Sequence, residues 1–290
     1  MNMNYAALIQ NRKSTREFTG EHVTPQQMGE LERYFQEKSL RLVPELETRL
    51  LTFGTESREV LEGAAGYESF LVGAPAYMVL LSAKGEGSVE NAGFIMEDLI
   101  LKLADMGLDS CWLTFTESEH IKEALEISST LDVAAIAAFG YGVKSTRRLR
   151  LNIRSMSNVD MQAKRRYNEP KRSIYDLASL NTWGSTEGLD EYMGFYGDLL
   201  WEALYAASLA PSYLNRQAYG FLLHNEGVTL VRRPDAYTPD LDARLSLGAV
   251  LQHFTSVSAH WTGGLTWNLG SAPASLVLPE GHEAVATAKL

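Results

Sequence analysis

The chain has 290 residues, room for one large domain or two of ordinary size. Apolar residues make up 45% and charged residues 21%, so a large core can form and a disordered chain is excluded. The net charge of -10 argues against a nucleic-acid surface, and a single cysteine, Cys111, excludes an intrachain disulfide framework and any multi-cysteine metal site. No uninterrupted apolar run reaches membrane-spanning length, and Met1 to Gln10 is too polar for a signal peptide. A soluble cytoplasmic protein without membrane contact is expected.

Tyr5 to Gln10 reads as a short helix with Ala6, Leu8 and Ile9 on its apolar side. Arg12, Lys13, Ser14 and Arg16 follow at once. Arg offers a forked pair of donors to phosphate and Lys a point charge, so the cluster suits an anion; the plain alternative is a solvated basic turn. Thr24-Pro25-Gln26-Gln27 opens the next helix with a capping box and a proline in its first turn. Ser39 to Glu68 is polar and carries no clear period. Ala74 to Leu81 reads as a strand entered through Pro75 and buried on both faces.

Asn91 to Met106 is apolar around most of its circumference, as a central helix would be. Gly107 to Leu113 turns into a strand, Glu117 to Glu126 is an amphipathic helix, and Val133 to Tyr141 is a strand of small residues. Residues 144 to 172 are dense in Lys and Arg and broken by Asn158, Asn168 and Pro170; they read as an extended arm between two halves. Tyr192 to Ser208 reads as one strong helix. It ends at Ala210-Pro211-Ser212-Tyr213-Leu214-Asn215-Arg216-Gln217, a loop whose hydroxyl and two amides suit a flat hydrogen-bonding ligand, the alternative being an ordinary capped turn. Tyr219 to Leu223 and Val228 to Arg232 form a hairpin. Leu245 to His260 is a helix, Gly264 to Leu269 a strand, and Ala284 to Ala288 closes the chain. The six histidines show no ligand spacing; His253 and His260 read as helix-face or core residues.

An internal repeat is legible. Gly93, Ala104 and Trp112 recur 155 positions later as Gly248, Ala259 and Trp267, in the same helix-turn-strand order. The strand at Val133 to Ala138 has a looser echo at Ala284 to Ala288. A fused duplication is the covalent form of a two-fold dimer. The halves are unequal: the first has the basic cluster, the second the Pro211–Gln217 loop. A site that needs both features can be built once.

These motifs resemble those of the nitroreductase superfamily, and within it the long single-chain members whose halves mimic the usual homodimer. Arg12-Lys13-Ser14-Thr15-Arg16-Glu17-Phe18 resembles the family's Arg-Arg-Ser-x-Arg-x-Phe, and Ala210-Pro211-Ser212-x-x-Asn215-x-Gln217 its Ala-Pro-Ser-x-x-Asn-x-Gln. Gly107-Leu108-x-Ser110-Cys111-Trp112 and Phe139-Gly140-Tyr141-Gly142 resemble two further family turns. The resemblance implies an α+β fold, internally duplicated, each half a mainly antiparallel sheet flanked by helices, with residues 1–180 and 181–290 as the halves. It implies FMN as cofactor and NAD(P)H as co-substrate, with no acid-base dyad. Carried over, Arg12, Lys13, Ser14 and Arg16 bind FMN from the first half and Pro211, Ser212, Asn215 and Gln217 from the second. Leu113 and Thr114 pass near the reactive ring, and Lys171 or Arg172 reaches the phosphate.

The implied activity is hydride transfer from NAD(P)H to a nitroaromatic, quinone or related electron-poor small molecule, in a monomeric pseudo-dimer. Where the long members often have glycines beside the ring, this chain has Thr114-Phe115, and a bulky Phe115 there narrows the substrate face. The rival expectation is therefore a flavin-binding protein without turnover.

Overall fold

The computed structural model describes all residues except 1, 2, 69, 145, 146, 156, 157, 166–169 and 275, and over 147–165 it describes the backbone alone. In chain order the elements are α1 (Tyr5–Asn11), α2 (Pro25–Glu37), β1 (Thr48–Phe53), α3 (Ser57–Leu61), β2 (Ala76–Ser82), α4 (Ser88–Asp105), β3 (Asp109–Leu113), α5 (Ser118–Ala124) and β4 (Asp132–Gly140). There follow β5 (Arg147–Ser155), β6 (Asn158–Arg165), α6 (Ile174–Leu177), β7 (Ala178–Leu180), α7 (Leu189–Phe195) and α8 (Asp198–Ser208). A 3₁₀ turn at Tyr213–Asn215 leads to β8 (Tyr219–His224), β9 (Gly227–Arg232), α9 (Asp240–Thr262), β10 (Asn268–Leu269) and β11 (Glu283–Ala288). Among the described residues, no helix is long and apolar enough to cross a membrane.

The local chemistry of α2 works as its sequence dictates. Thr24 Oγ1 accepts from Gln27 N at 3.2 Å, and Gln27 Oε1 accepts from Thr24 N at 3.0 Å. Several elements differ from expectation, and the strand expected over Gly264 to Leu269 is only the two-residue β10. β1 lies inside the stretch that carried no clear period; only Leu50 of its six residues is buried, so apolar alternation is faint. The expected helix Tyr192 to Ser208 is two, because Gly197 between α7 and α8 adopts φ +61°, ψ −142°, far from helical values. The basic arm is a hairpin: β5 and β6 pair antiparallel with Leu149 opposite Ala163 and Leu151 opposite Met161. An apolar residue at every second position was hidden under the charge density. The side chains of this hairpin, the cation Arg166 and the break at Asn168 lie outside the described residues.

Two sheets carry the fold. The first runs β1-β2-β4-β3 and the second β7-β8-β9-β11-β10. All neighbours are antiparallel except β7 and β8, which are parallel. Without β7 the two orders are the same, with β8, β9, β11 and β10 in the places of β1, β2, β4 and β3. The weak echo between β4 and β11 is thus a topological identity: leaving β7 aside, each is third in its sheet. β7, the last strand of residues 1–180, lies in the second sheet, and Ile174, Leu177 and Leu180 sit in that sheet's core.

The central helices α4 and α9 cross at the repeated glycines. A Cβ on Gly93 would strike the carbonyl of Leu245, and a Cβ on Gly248 would strike the carbonyl of Glu90. Leu245 lies 155 residues after Glu90, so the contact obeys the repeat in both directions. Each helix also enters the other half's core, Phe94 joining the second and Leu245 the first. The fold is therefore a duplicated α+β pair packed about a local two-fold axis.

Candidate functional site

The basic motif is stitched down immediately after α1. Ser14 bridges Ser110, Thr15 N donates to Ser110 O at 2.8 Å, and Thr15 Oγ1 donates to Asp109 Oδ1 at 3.1 Å. Thr19 N donates to Tyr141 O at 2.7 Å, which ties the motif's far end to the chain just past β4. This anchoring sends Arg12 inward and leaves Ser14 and Arg16 along a cleft.

Arg12 enters a buried polar seam between the halves. Its Nε lies 3.2 Å from Glu97 Oε1 but forms no hydrogen bond. Glu97, on α4, also accepts from Trp112 Nε1 at 2.8 Å and pairs with His253 Nε2 of α9 at 2.9 Å. His253 Nδ1 faces Ala206 O at 2.9 Å. Burial pushes the Glu97 carboxyl up; the Arg12 charge, His253 and the Trp112 hydrogen bond more than offset it and hold the group below the ordinary range. One residue along each helix, Gln252 Nε2 donates to Asp98 Oδ1 at 3.2 Å. Since 252 and 253 are the repeats of 97 and 98, the two pairs are mates across the local two-fold. Duplication made them alike, and substitution left one charged and one amide-bearing.

The Pro211–Gln217 loop comes from the second half. Leu214, Asn215 and Gln217 hold positive φ of 46°, 58° and 49°. Ser212 Oγ accepts from Gln217 N at 3.1 Å. Three hydrogen bonds lace this loop to the chain ahead of α6: Asn215 Nδ2 to Pro170 O at 2.9 Å, Lys171 Nζ to Ala210 O at 2.8 Å, and Arg172 N to Gln217 Oε1 at 2.8 Å. Gln217 Nε2 donates inward to Ser208 O at 2.9 Å and to Tyr219 OH at 3.2 Å. Burial, helped by the nearby Arg12 charge, pushes the Lys171 ammonium down to about 8.

Between the halves lies a cleft of about 140 Å³, open to solvent. Of the residues expected at the site, it brings together Ser14, Arg16, Leu113, Thr114, Pro211 and Ser212. Arg12, Lys13, Lys171, Arg172, Asn215 and Gln217 do not line it. Sequence reasoning missed Tyr67, Phe70, Tyr213 and a wall of α9 that includes Asp242, Leu245 and Ala249. The aromatic pair Tyr67 and Tyr213 has ring centroids 6.0 Å apart. Phe115 was expected to narrow the cleft, yet it does not line it: it bridges Ala65 and packs with the cluster around Leu61 and Ile121. Cys111 is buried and its thiol pushed up by burial, in keeping with a structural residue. Among the described residues, no group of three or more His, Cys, Asp or Glu is arranged to hold a metal.

The donor set suits a ligand with a flat ring and an anionic tail. Val72, Leu113, Leu245 and Ala249 give apolar walls, while Ser14, Arg16 and Ser212 give polar contacts. Arg12, with its buried Nε lacking a hydrogen bond, and Lys171 form a second cationic pair outside the lining.

Residues 4–181 match the protein family described as "Putative TM nitroreductase". The chain belongs to this nitroreductase family. A solved structure described as a putative nitroreductase from Thermotoga maritima aligns with 100% of this chain and 95% of its own, at 18% identity and a TM-score of 0.58, which shows a common fold. A nitroreductase family protein from Clostridium novyi aligns with 49% of this chain and 87% of its own, at 17% identity and a TM-score of 0.43. An FMN-dependent nitroreductase from Clostridium difficile aligns with 48% and 87%, at 18% identity and a TM-score of 0.39. A search of curated proteins found no match. In this chain the cleft is built by both halves.

Proposed function

We propose that this nitroreductase-family chain is an FMN-dependent oxidoreductase that moves hydride from NADH or NADPH to a nitroaromatic, quinone or related electron-poor acceptor. The observation that carries the reading is the seam cleft, where Ser14 and Arg16 from one half line the same space as Pro211 and Ser212 from the other. Ser14, Arg16, Leu113, Thr114, Pro211 and Ser212 would hold the ring of FMN. Arg12, Lys13, Lys171 and Arg172 would hold its phosphate end. When bound, FMN supplies the reversible hydride chemistry.

The chain's own residues supply orientation and field. Arg16 sets a fixed positive charge against apolar walls, where it favours negative charge far more than it would in water. Asn215 and Gln217 act one step back, lacing the segment Pro170–Arg172 to the loop that carries Ser212. The rival reading, flavin binding without turnover, rested on Phe115 closing the ring face, and Phe115 does not line the cleft.

A single cofactor per chain is the reading, because the basic motif and the Pro211–Gln217 loop occur once each. The two-fold mate of the cleft, where Gly87, Glu90 and Leu269 stand for Asp242, Leu245 and Thr114, is crossed by other contacts. Leu269 packs over Gly87, and Arg244 clamps Glu90 with bonds of 2.7 and 2.8 Å. Both walls of the open cleft come from one chain, so a monomer suffices, with the second half taking in β7 from the end of residues 1–180. The visible spectrum and the FMN released per chain test this, followed by oxidation of NADH and NADPH with a nitroaromatic acceptor. A single FMN per chain with turnover is expected. Two per chain would overturn the single composite site, and no flavin after soaking with excess FMN would overturn the enzyme reading and leave the fold.

A further inference from the structure

Asp242 is the carboxylate of the cleft, and none of the roles above uses it. It stands in the first turn of α9 beside Tyr213, whose backbone N donates to Ser246 Oγ one turn along that helix at 3.2 Å. Three neighbouring acids and bases have partners. Asp240 takes Arg232 at 2.7 Å, Arg244 takes Glu90, and Asp235 takes Arg216 at 2.8 Å. Asp242 has neither an ion pair nor a side-chain hydrogen bond among the described residues, and burial alone acts on its carboxyl, pushing it up to about 6. Asp242 is half-buried in the cleft, so its carboxylate loses part of its hydration without gaining a partner, and a ligand that brings a positive charge offsets that loss.

The walls around it favour the same kind of ligand. Tyr67, Phe70 and Tyr213 line the cleft, and the faces of aromatic rings attract cations. The other ionisable groups in reach are Arg16, anchored to β3 through the Ser14–Ser110 bridge, the Cys111 thiol, and Glu68, whose charge is felt at Tyr213. The Tyr213 hydroxyl is pushed up by burial and by the charges of Tyr67 and Asp242, so it stays neutral. The cleft therefore has a cation-bearing wall from the first half and an anionic aromatic wall assembled from both.

We propose that Asp242, with Tyr67, Phe70 and Tyr213, selects the electron acceptor, and that the acceptor is a flat aromatic cation of the N-alkylated pyridinium or quinolinium kind. Such a ring is electron-poor because of its charge, which suits a hydride acceptor, and the same charge pairs with Asp242. The assignment rests on the reading of the cleft as the active site.

The experiment is equilibrium binding to the protein as purified, followed by quenching of tryptophan fluorescence, since Trp112 lines the cleft. The probes are the N-methylquinolinium ion and its neutral counterpart 1-methylnaphthalene, and FMN content is measured on the same preparation. The cation is expected to bind about tenfold tighter than the neutral ring. D242N should remove that preference, D242E should retain it, and the wild-type preference should grow as pH rises from 5 to 7, as the carboxyl ionises. Equal affinity for both rings in the wild type, or an equal loss of both in D242N, would overturn the proposal. A flavin-loaded protein that binds both rings alike overturns only the selection. A flavin-free protein that keeps the Asp242-dependent preference sustains the selection and overturns the flavin reading.

Discussion

Replacing Gly248 by Ala tests the crossing on which the cleft depends. In a solvated helix this change would stabilise by up to about 1 kcal/mol, because Gly is a poor helix former. At the crossing the new Cβ would strike the carbonyl of Glu90 and lie 2.7 Å from Phe94 N and 2.9 Å from Gly93 Cα. All three are backbone atoms of α4, so no rotamer change relieves them. Ordinary contact needs about 3.5 Å, so the helices must part by roughly 1 Å. Overpacking of this kind costs about 1–3 kcal/mol, and parting the helices also loosens the contacts along the seam. After the propensity gain, a net loss of about 1 kcal/mol is expected, a fall of about 2 °C in Tm. Gly29 is the internal control: it lies inside α2 with nothing within 4 Å of an added Cβ. Gly29→Ala should stabilise by a few tenths to about 1 kcal/mol. Urea unfolding of both variants gives the comparison. If Gly248→Ala gained stability as Gly29→Ala does, the close helix crossing would be refuted.

Arg16→Ala should leave the unfolding midpoint within about 0.5 kcal/mol of wild type, since Arg16 has no ion pair among the described residues, while lowering FMN affinity at least about tenfold by titration. Gln217→Ala should cost about 2–3 kcal/mol in urea unfolding, because it strips partners from Ser208 O, Tyr219 OH and Arg172 N in a buried setting. Asp242→Asn makes a pH prediction. The folded carboxyl titrates at about 6 and an exposed Asp at about 3.9, so the folded chain holds the extra proton in that window and wild-type stability falls as pH rises through it. Above pH 7 the variant should therefore be more stable by about 2 kcal/mol, an advantage that vanishes below pH 4; a constant difference across pH would contradict the buried, unpaired carboxyl.

Much of the fold is written locally. The capping box at Thr24, the proline entry to β2 and the all-round apolar α4 depend on residues within a turn or two of one another, so their period and spacing could be read directly. The repeat was legible through Gly93, Gly248 and the two tryptophans because the crossing tolerates nothing larger than glycine there. β1 escaped because an edge strand with one buried residue in six leaves little alternation. The α7–α8 break escaped because Gly197 supplies a non-helical turn without interrupting the apolar pattern. Of the site, the two motifs that meet in the cleft were legible as motifs.

Local residue order sets most of the elements, the duplication and the identity of the polar groups available to a ligand. Tertiary structure alone decided where those groups point. Gln217, a plausible ring contact by type, turns inward because Ser208 O and Tyr219 OH satisfy it in the core. Phe115, a plausible obstruction, is drawn away by the cluster beneath Ala65. Asp242 is an ordinary acid at a helix start until α9 crosses α4 and carries it over the cleft. The physical reason is range: propensity and capping act between near neighbours, whereas the cleft is made by contacts between residues about 150 positions apart, whose free energy no local window contains.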